Sequence, residues 1–66
     1  MKEEINYQGR NITDDQLPMI VTRLKFNINM RILDLSENFI SSKGFELIMK
    51  NLHNHKNLHK LIMIGN

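Results

Sequence analysis

The chain has 66 residues, nine Lys or Arg against seven Asp or Glu, a formal charge of +2 and no cysteine. A chain of this length makes one domain at most and buries only about 60% of its unfolded surface, so a disulfide, a metal or a partner usually supplements its core. The absence of cysteine excludes disulfides and thiolate metal sites. The small, scattered charge makes no case for nucleic acid, and no apolar run has the length of a signal peptide or a membrane span, so a cytoplasmic location is expected.

In chain order, the first predicted strand lies in EEINYQ, with Ile5 and Tyr7 on one face and Glu4, Asn6 and Gln8 on the other. The first helix follows. Leu17, Ile20, Val21 and Leu24 share one of its faces, and Pro18 requires that the helix begin close by, which points to Asp14 or Asp15 as N-cap. Phe26, Ile28 and Met30 are expected to continue the apolar layer through the return loop. In ILDLSEN, alternation sends Leu33 and Leu35 to the core and Asp34 to the opposite face, and Asn38 sits where the chain leaves the strand.

Ile40 then re-enters the core, Ser41 or Ser42 caps a second helix, and Gly44 lets that helix approach the strand layer closely. Phe45, Ile48, Met49 and Leu52 form its apolar face. The segment HNHKNLH places His53, His55 and His59 at the helix end and in the next return loop. The last predicted strand, KLIMIGN, is apolar on both faces: Leu61 and Met63 inward, Ile62 and Ile64 outward.

Sliding the chain by 28 residues aligns it on itself. Met30, Leu33, Leu35 and Asn38 fall on Leu58, Leu61, Met63 and Asn66; Leu17, Ile20, Val21 and Leu24 fall on Phe45, Ile48, Met49 and Leu52. The units are residues 2–29, 30–57 and a partial 58–66, within one domain spanning 1–66. MRILDLSEN and LHKLIMIGN resemble the leucine-rich repeat pattern L-x-x-L-x-L-x-x-N, and the 28-residue unit with Gly44, Ile48 and Leu52 is similar to the ribonuclease-inhibitor-like class. The first unit departs from the pattern, with Arg10 at the asparagine position and Gln16 at the glycine position. The resemblance implies an α/β fold: a short leucine-rich repeat solenoid of three parallel strands with two helices on one side. It also implies the inhibitor, adaptor or regulator roles common in that class.

The function expected from these residues is protein recognition. Leu61, Ile62, Met63 and Ile64 form the adhesive strand, with Glu4, Asn6, Gln8, Ile32, Asp34, Ser36, Glu37 and Lys60 on the polar strand face beside it. An uncovered edge with four apolar residues in a row is a template for association. Three alternatives stay open for what completes it: a second copy joined through residues 61–65 as a homodimer, a foreign protein donating a strand, or further units of a longer array. A different class of function is a ligand-binding module in which His53, His55 and His59 hold a metal, or with Lys56 and Lys60 contact phosphate or nucleic acid. A solvated loop whose histidines favour the helix C-terminus explains that segment more simply. Asp14 and Asp15 read as caps rather than as a catalytic pair, and no nucleophile–base motif or glycine-rich phosphate loop is present, so no enzyme and no cofactor are expected.

Overall fold

Short runs of alternating residues give short strands, and the two amphipathic runs between them give helices. The computed structural model describes residues 3–66; the start of the first sequence unit, at residue 2, lies outside them. Its elements are β1 (Glu4–Asn6), a single 3-10 turn (Asp14–Gln16), α1 (Leu17–Lys25), β2 (Ile32–Asp34), α2 (Ser42–Leu52) and β3 (Lys60–Ile62). The strands form an open sheet in the order β1-β2-β3, parallel throughout. Parallel neighbours need a crossover, and each helix supplies one. The molecule is thus a small α/β domain of three parallel strands and two helices.

The pairing register reproduces the sequence offset. Glu4 lies beside Ile32 and Ile32 beside Lys60; Ile5, Leu33 and Leu61 follow, and then Asn6, Asp34 and Ile62. Each step is 28 residues, so every strand presents equivalent side chains to the same face. The turns leaving the strands repeat as well. Gly9, Glu37 and Gly65 occupy one position in successive units and all adopt positive φ, at 66°, 58° and 77°. Glycine tolerates that conformation at no steric cost, whereas Glu37 does not.

One apolar cluster holds the layers together. It contains Ile12, Leu17, Val21, Leu24, Met30, Leu33, Leu35, Ile40, Ile48 and Leu52, with Ile5, Tyr7, Ile20, Leu58, Leu61 and Met63 half-buried against it. Helices α1 and α2 pack side by side. A Cβ on Gly44 would lie 2.7 Å from Ile40 and 2.8 Å from Leu17, distances that real Cβ atoms do not tolerate. The approach expected toward the strand layer is thus corrected: Gly44 packs against α1 and the loop before α2.

Two further local expectations are corrected. Neither Asp14 nor Asp15 is the N-cap: Thr13 caps the 3-10 turn that leads into α1, its N–H donating to Gln16 Oε1 at 2.8 Å as the return half of a capping box, Gln16 is the N-cap of α1, and Pro18 falls in the first turn. Asp14 is freed to face α2, where it accepts from the Ser41 N–H at 2.9 Å and from the Ser41 hydroxyl. Phe26 and Ile28 are exposed, and only Met30 of that return loop is buried. Phe26 ends α1 as its C-cap, and the loop then turns through a bond from the Met30 N–H to the Asn27 carbonyl, within which Ile28 faces outward. Ser41 does cap α2, its Oγ accepting from the Gly44 N–H at 3.4 Å. No helix among the described residues is long and apolar enough to cross a membrane.

Candidate protein-interaction surface

The backbone leaving each strand turns sharply, and its amide groups need partners. Asn38 supplies them for the second turn. Its Oδ1 accepts from the Arg10 and Ile12 N–H groups at 2.9 and 3.0 Å, and its Nδ2 donates to Tyr7, Leu35 and Ser36 carbonyls at 2.9, 3.0 and 3.1 Å. Asn66 repeats the scheme one unit later, accepting from Ile40 N–H at 3.0 Å and donating to Leu35 and Met63 carbonyls at 2.8 and 3.3 Å. These side chains tie successive turns together and fix the height of β3 against β2.

Strand order makes β3 an edge, with one side of its backbone unpaired in the sheet. Leu61 and Met63 are half-buried against the core, as expected, and Ile62 is half-buried on the opposite face. Ile64 is 71% exposed. Among the polar positions, Glu4, Asn6, Gln8, Glu37 and Lys60 are exposed, and Ile32 and Asp34 are half-buried. Several of these already have internal work. Asn6 Oδ1 accepts from Gln8 N–H and Asp34 Oδ1 from Ser36 N–H, both at 2.9 Å, in equivalent turns.

Ser36 does not belong to the open face. It is buried, and its Oγ accepts from the Ile64 N–H at 3.1 Å, so its hydroxyl anchors the end of β3 instead of meeting a partner. A small hydroxyl is the side chain that fits under the neighbouring turn and can still accept its N–H.

Helix α2 extends the surface in a way the sequence did not indicate. Phe45 and Met49 are 43% and 40% exposed, whereas Leu17 and Val21, their equivalents on α1, are at 0% and 2%. The expected four-residue apolar face of α2 therefore splits. Ile48 and Leu52 are buried, and Phe45 and Met49 look out beside β3. Two grooves run along this end between helix and strand. One, of about 260 Å³, has Met49, Leu52, Leu58 and Leu61 in its walls and His53, His59 and Lys60 at its rim. The other, of about 380 Å³, lies between Phe45, Glu46, Met63 and Asn66.

The histidines are held by backbone. His55 Nε2 faces the Asn27 carbonyl at 2.8 Å and its Nδ1 faces the Asn57 and Leu58 N–H groups at 3.2 and 3.0 Å. Carbonyls only accept and amides only donate, so His55 carries its proton on Nε2 and has no lone pair left for a metal. His53 Nδ1 faces the Met49 and Lys50 carbonyls at 3.2 Å, at the end of α2, and His59 Nδ1 faces the Asn57 carbonyl at 3.4 Å. No group of three metal-ligating side chains occurs among the described residues. The histidine segment locks the return loop to the preceding one: besides His55, the Asn57 side chain donates to the Ile28 carbonyl.

Asp14 is electrostatically perturbed by its hydrogen bonds to Ser41. Its hydrogen bonds from the Ser41 hydroxyl and then the Ser41 amide stabilise the carboxylate and hold its pKa below the ordinary value, against a smaller opposing effect of desolvation. It joins the turn before α1 to the cap of α2 and takes no part in the end surface.

Compared with known proteins, the chain matches no family model, no curated protein and no solved structure.

Proposed function

We propose that the chain is a protein-interaction module, a short cytoplasmic solenoid of the leucine-rich repeat kind, which associates with a second copy of itself through β3 and the adjoining strand face. The reading assigns no catalysis and no cofactor. The 28-residue strand register, the paired asparagines and the recurring left-handed turn position support the solenoid.

One observation carries the binding role. Positions that are sealed in one unit lie more open in the next: Leu17 and Val21 on α1 are buried while Phe45 and Met49 on α2 are not, and Leu33 and Leu35 at β2 are buried while Leu61 and Met63 at β3 are half-buried. Covering what each such side chain still exposes contributes about 1 kcal/mol or less. An edge strand with unpaired amides beside an apolar end is completed by another polypeptide.

Sedimentation across micromolar concentrations tests this. The wild-type chain is expected to dimerise. The Ile64→Lys change, at an exposed position, is expected to abolish the dimer and leave the monomer's melting temperature unchanged within about 2 °C. A wild-type chain that stays monomeric throughout the range, or a variant that dimerises as well as wild type, overturns the proposal.

A further inference from the structure

The end surface is not uniform along its length. The row of α2 that borders the two grooves is Ser42, Phe45, Glu46, Met49 and, at the C-cap, His53, as the 3.6-residue period requires; Lys43 and Lys50 are also exposed on the helix but line neither groove. Glu46 lies near the N-terminal end of that row, by Phe45 and Met63. His53 lies at its C-terminal end, with His59 and Lys60 on the strand side of the same groove. The surface thus has an apolar centre, one carboxylate at one pole, and an ammonium with two imidazoles at the other.

A two-fold rotation exchanges the two poles. With the axis passing between the levels of residues 49 and 50, residue 46 of one helix comes opposite residue 53 of the other, since positions equidistant from that midpoint exchange. The same axis lies level with Leu61 and Met63, because Leu61 shares one groove with Met49 and Met63 shares the other with Phe45. One rotation therefore runs α2 antiparallel to α2 and β3 antiparallel to β3.

The opposite end of the molecule is no match for this surface. Glu3, Glu4, Asn6 and Gln8 are exposed there, and the Arg10 guanidinium lies 5.5 Å from the Tyr7 ring centroid, over its face. Head-to-tail stacking would bring Lys60 to Glu4, a favourable pair. It would also set Arg10, which has donors only, at the ladder position where Asn38 and Asn66 accept backbone N–H groups. A molecule with one adhesive end closes on itself as an isologous pair.

Building on the self-association proposed above, we infer that the occupant of this end is a second copy, docked isologously with Phe45 and Met49 of both α2 helices in contact and each Glu46 against the His53–Lys60 rim of its partner. The interface is then a helix layer as well as a strand layer, and its charges set register and orientation while its apolar centre supplies affinity.

Charge exchange tests it. Neither Glu46 nor Lys60 is in an ion pair among the described residues, and both are exposed, so substitution leaves the fold intact; melting of dilute protein checks this. Glu46→Lys and Lys60→Glu are each expected to weaken dimerisation about tenfold by sedimentation, and the double variant to return to within about threefold of wild type. If the wild type dimerises and the double variant is as weak as the product of the singles, the docking arrangement is overturned and self-association through β3 stands. Open-ended oligomers indicate head-to-tail stacking and overturn it too, and a monomeric wild type removes both.

Discussion

Asn38 and Asn66 both reach back to the preceding turn, Asn66 through three of the five bonds that Asn38 makes, and Asn38 is buried between two turns while Asn66 is exposed. The helices repeat the contrast, with Leu17 sealed under α2 and Phe45, in the same place on α2, half in water. Chemically similar side chains at equivalent positions thus have different energetic weight. The weight comes from the layer that follows, because a side chain contributes by what covers it. The middle of the molecule is held on both sides, and beside β3 and α2 the equivalent apolar positions are half open.

The asparagines give the sharpest test of that contrast. Asn38→Ala leaves the Arg10 and Ile12 amides and the Tyr7 carbonyl without their partner, at about 1–3 kcal/mol for each buried group left unsatisfied. The expected loss of about 3–5 kcal/mol, read by urea denaturation, approaches the whole stability of a small domain. Asn66→Ala should cost only about 1 kcal/mol, since water reaches the groups it frees. Equal losses would break the comparison.

Next come the helices. Leu17→Ala should destabilise by about 2–5 kcal/mol and Phe45→Ala by less than about 1 kcal/mol in dilute monomer. Phe45→Ala should show its larger effect in the concentration dependence of sedimentation. Gly44→Ala, which forces a methyl against Ile40 and Leu17, is expected to cost about 1–3 kcal/mol in the same denaturation measurement.

The smallest effect is at Asp14. Its folded pKa is depressed, so its bonds to Ser41 stabilise the chain above the ordinary carboxylate pKa of about 3.9. That contribution is lost as pH falls through the folded value, because protonation of the native carboxylate breaks the acceptor. Melting temperature should therefore drop between about pH 4 and lower values, and Asp14→Asn should make the drop shallower. A variant with an unchanged profile would remove Asp14 from the account.

Much of the fold was legible in the residues. Alternation located β1, β2 and β3, the 28-residue offset anticipated the register, and Gly44 and Ser41 act as their types suggest. Local choices among similar neighbours were not legible. In TDDQ three residues can cap, and the reach of Gln16 back to the Thr13 amide decided it. Ser36 was placed on the open face by alternation alone, which carries no information about the turn that folds over it. Phe26 and Ile28 show that apolar character does not secure burial in a tight loop.

The candidate surface was half legible. Apolarity on both faces of LIMI indicated β3, but Phe45 and Met49 read as ordinary core positions at helical spacing. The signal that could have found them was the comparison of units: their counterparts require a following helix to be covered, and α2 has α1 on one side only. Residues 61–65 and the outward row of α2 belong to one end of the molecule because the turn between them is pinned by His55 and Asn57.

The constant offset between strands also makes the molecule modular in its heredity. A tandem copy of residues 30–57 would find backbone partners equivalent to those its template has, since Asn38 and Asn66 both reach back to the preceding turn. Its one new seam would set Gly44 of the copy against Phe45, where Leu17 stands now. Length could then grow by duplication once that single contact is accommodated.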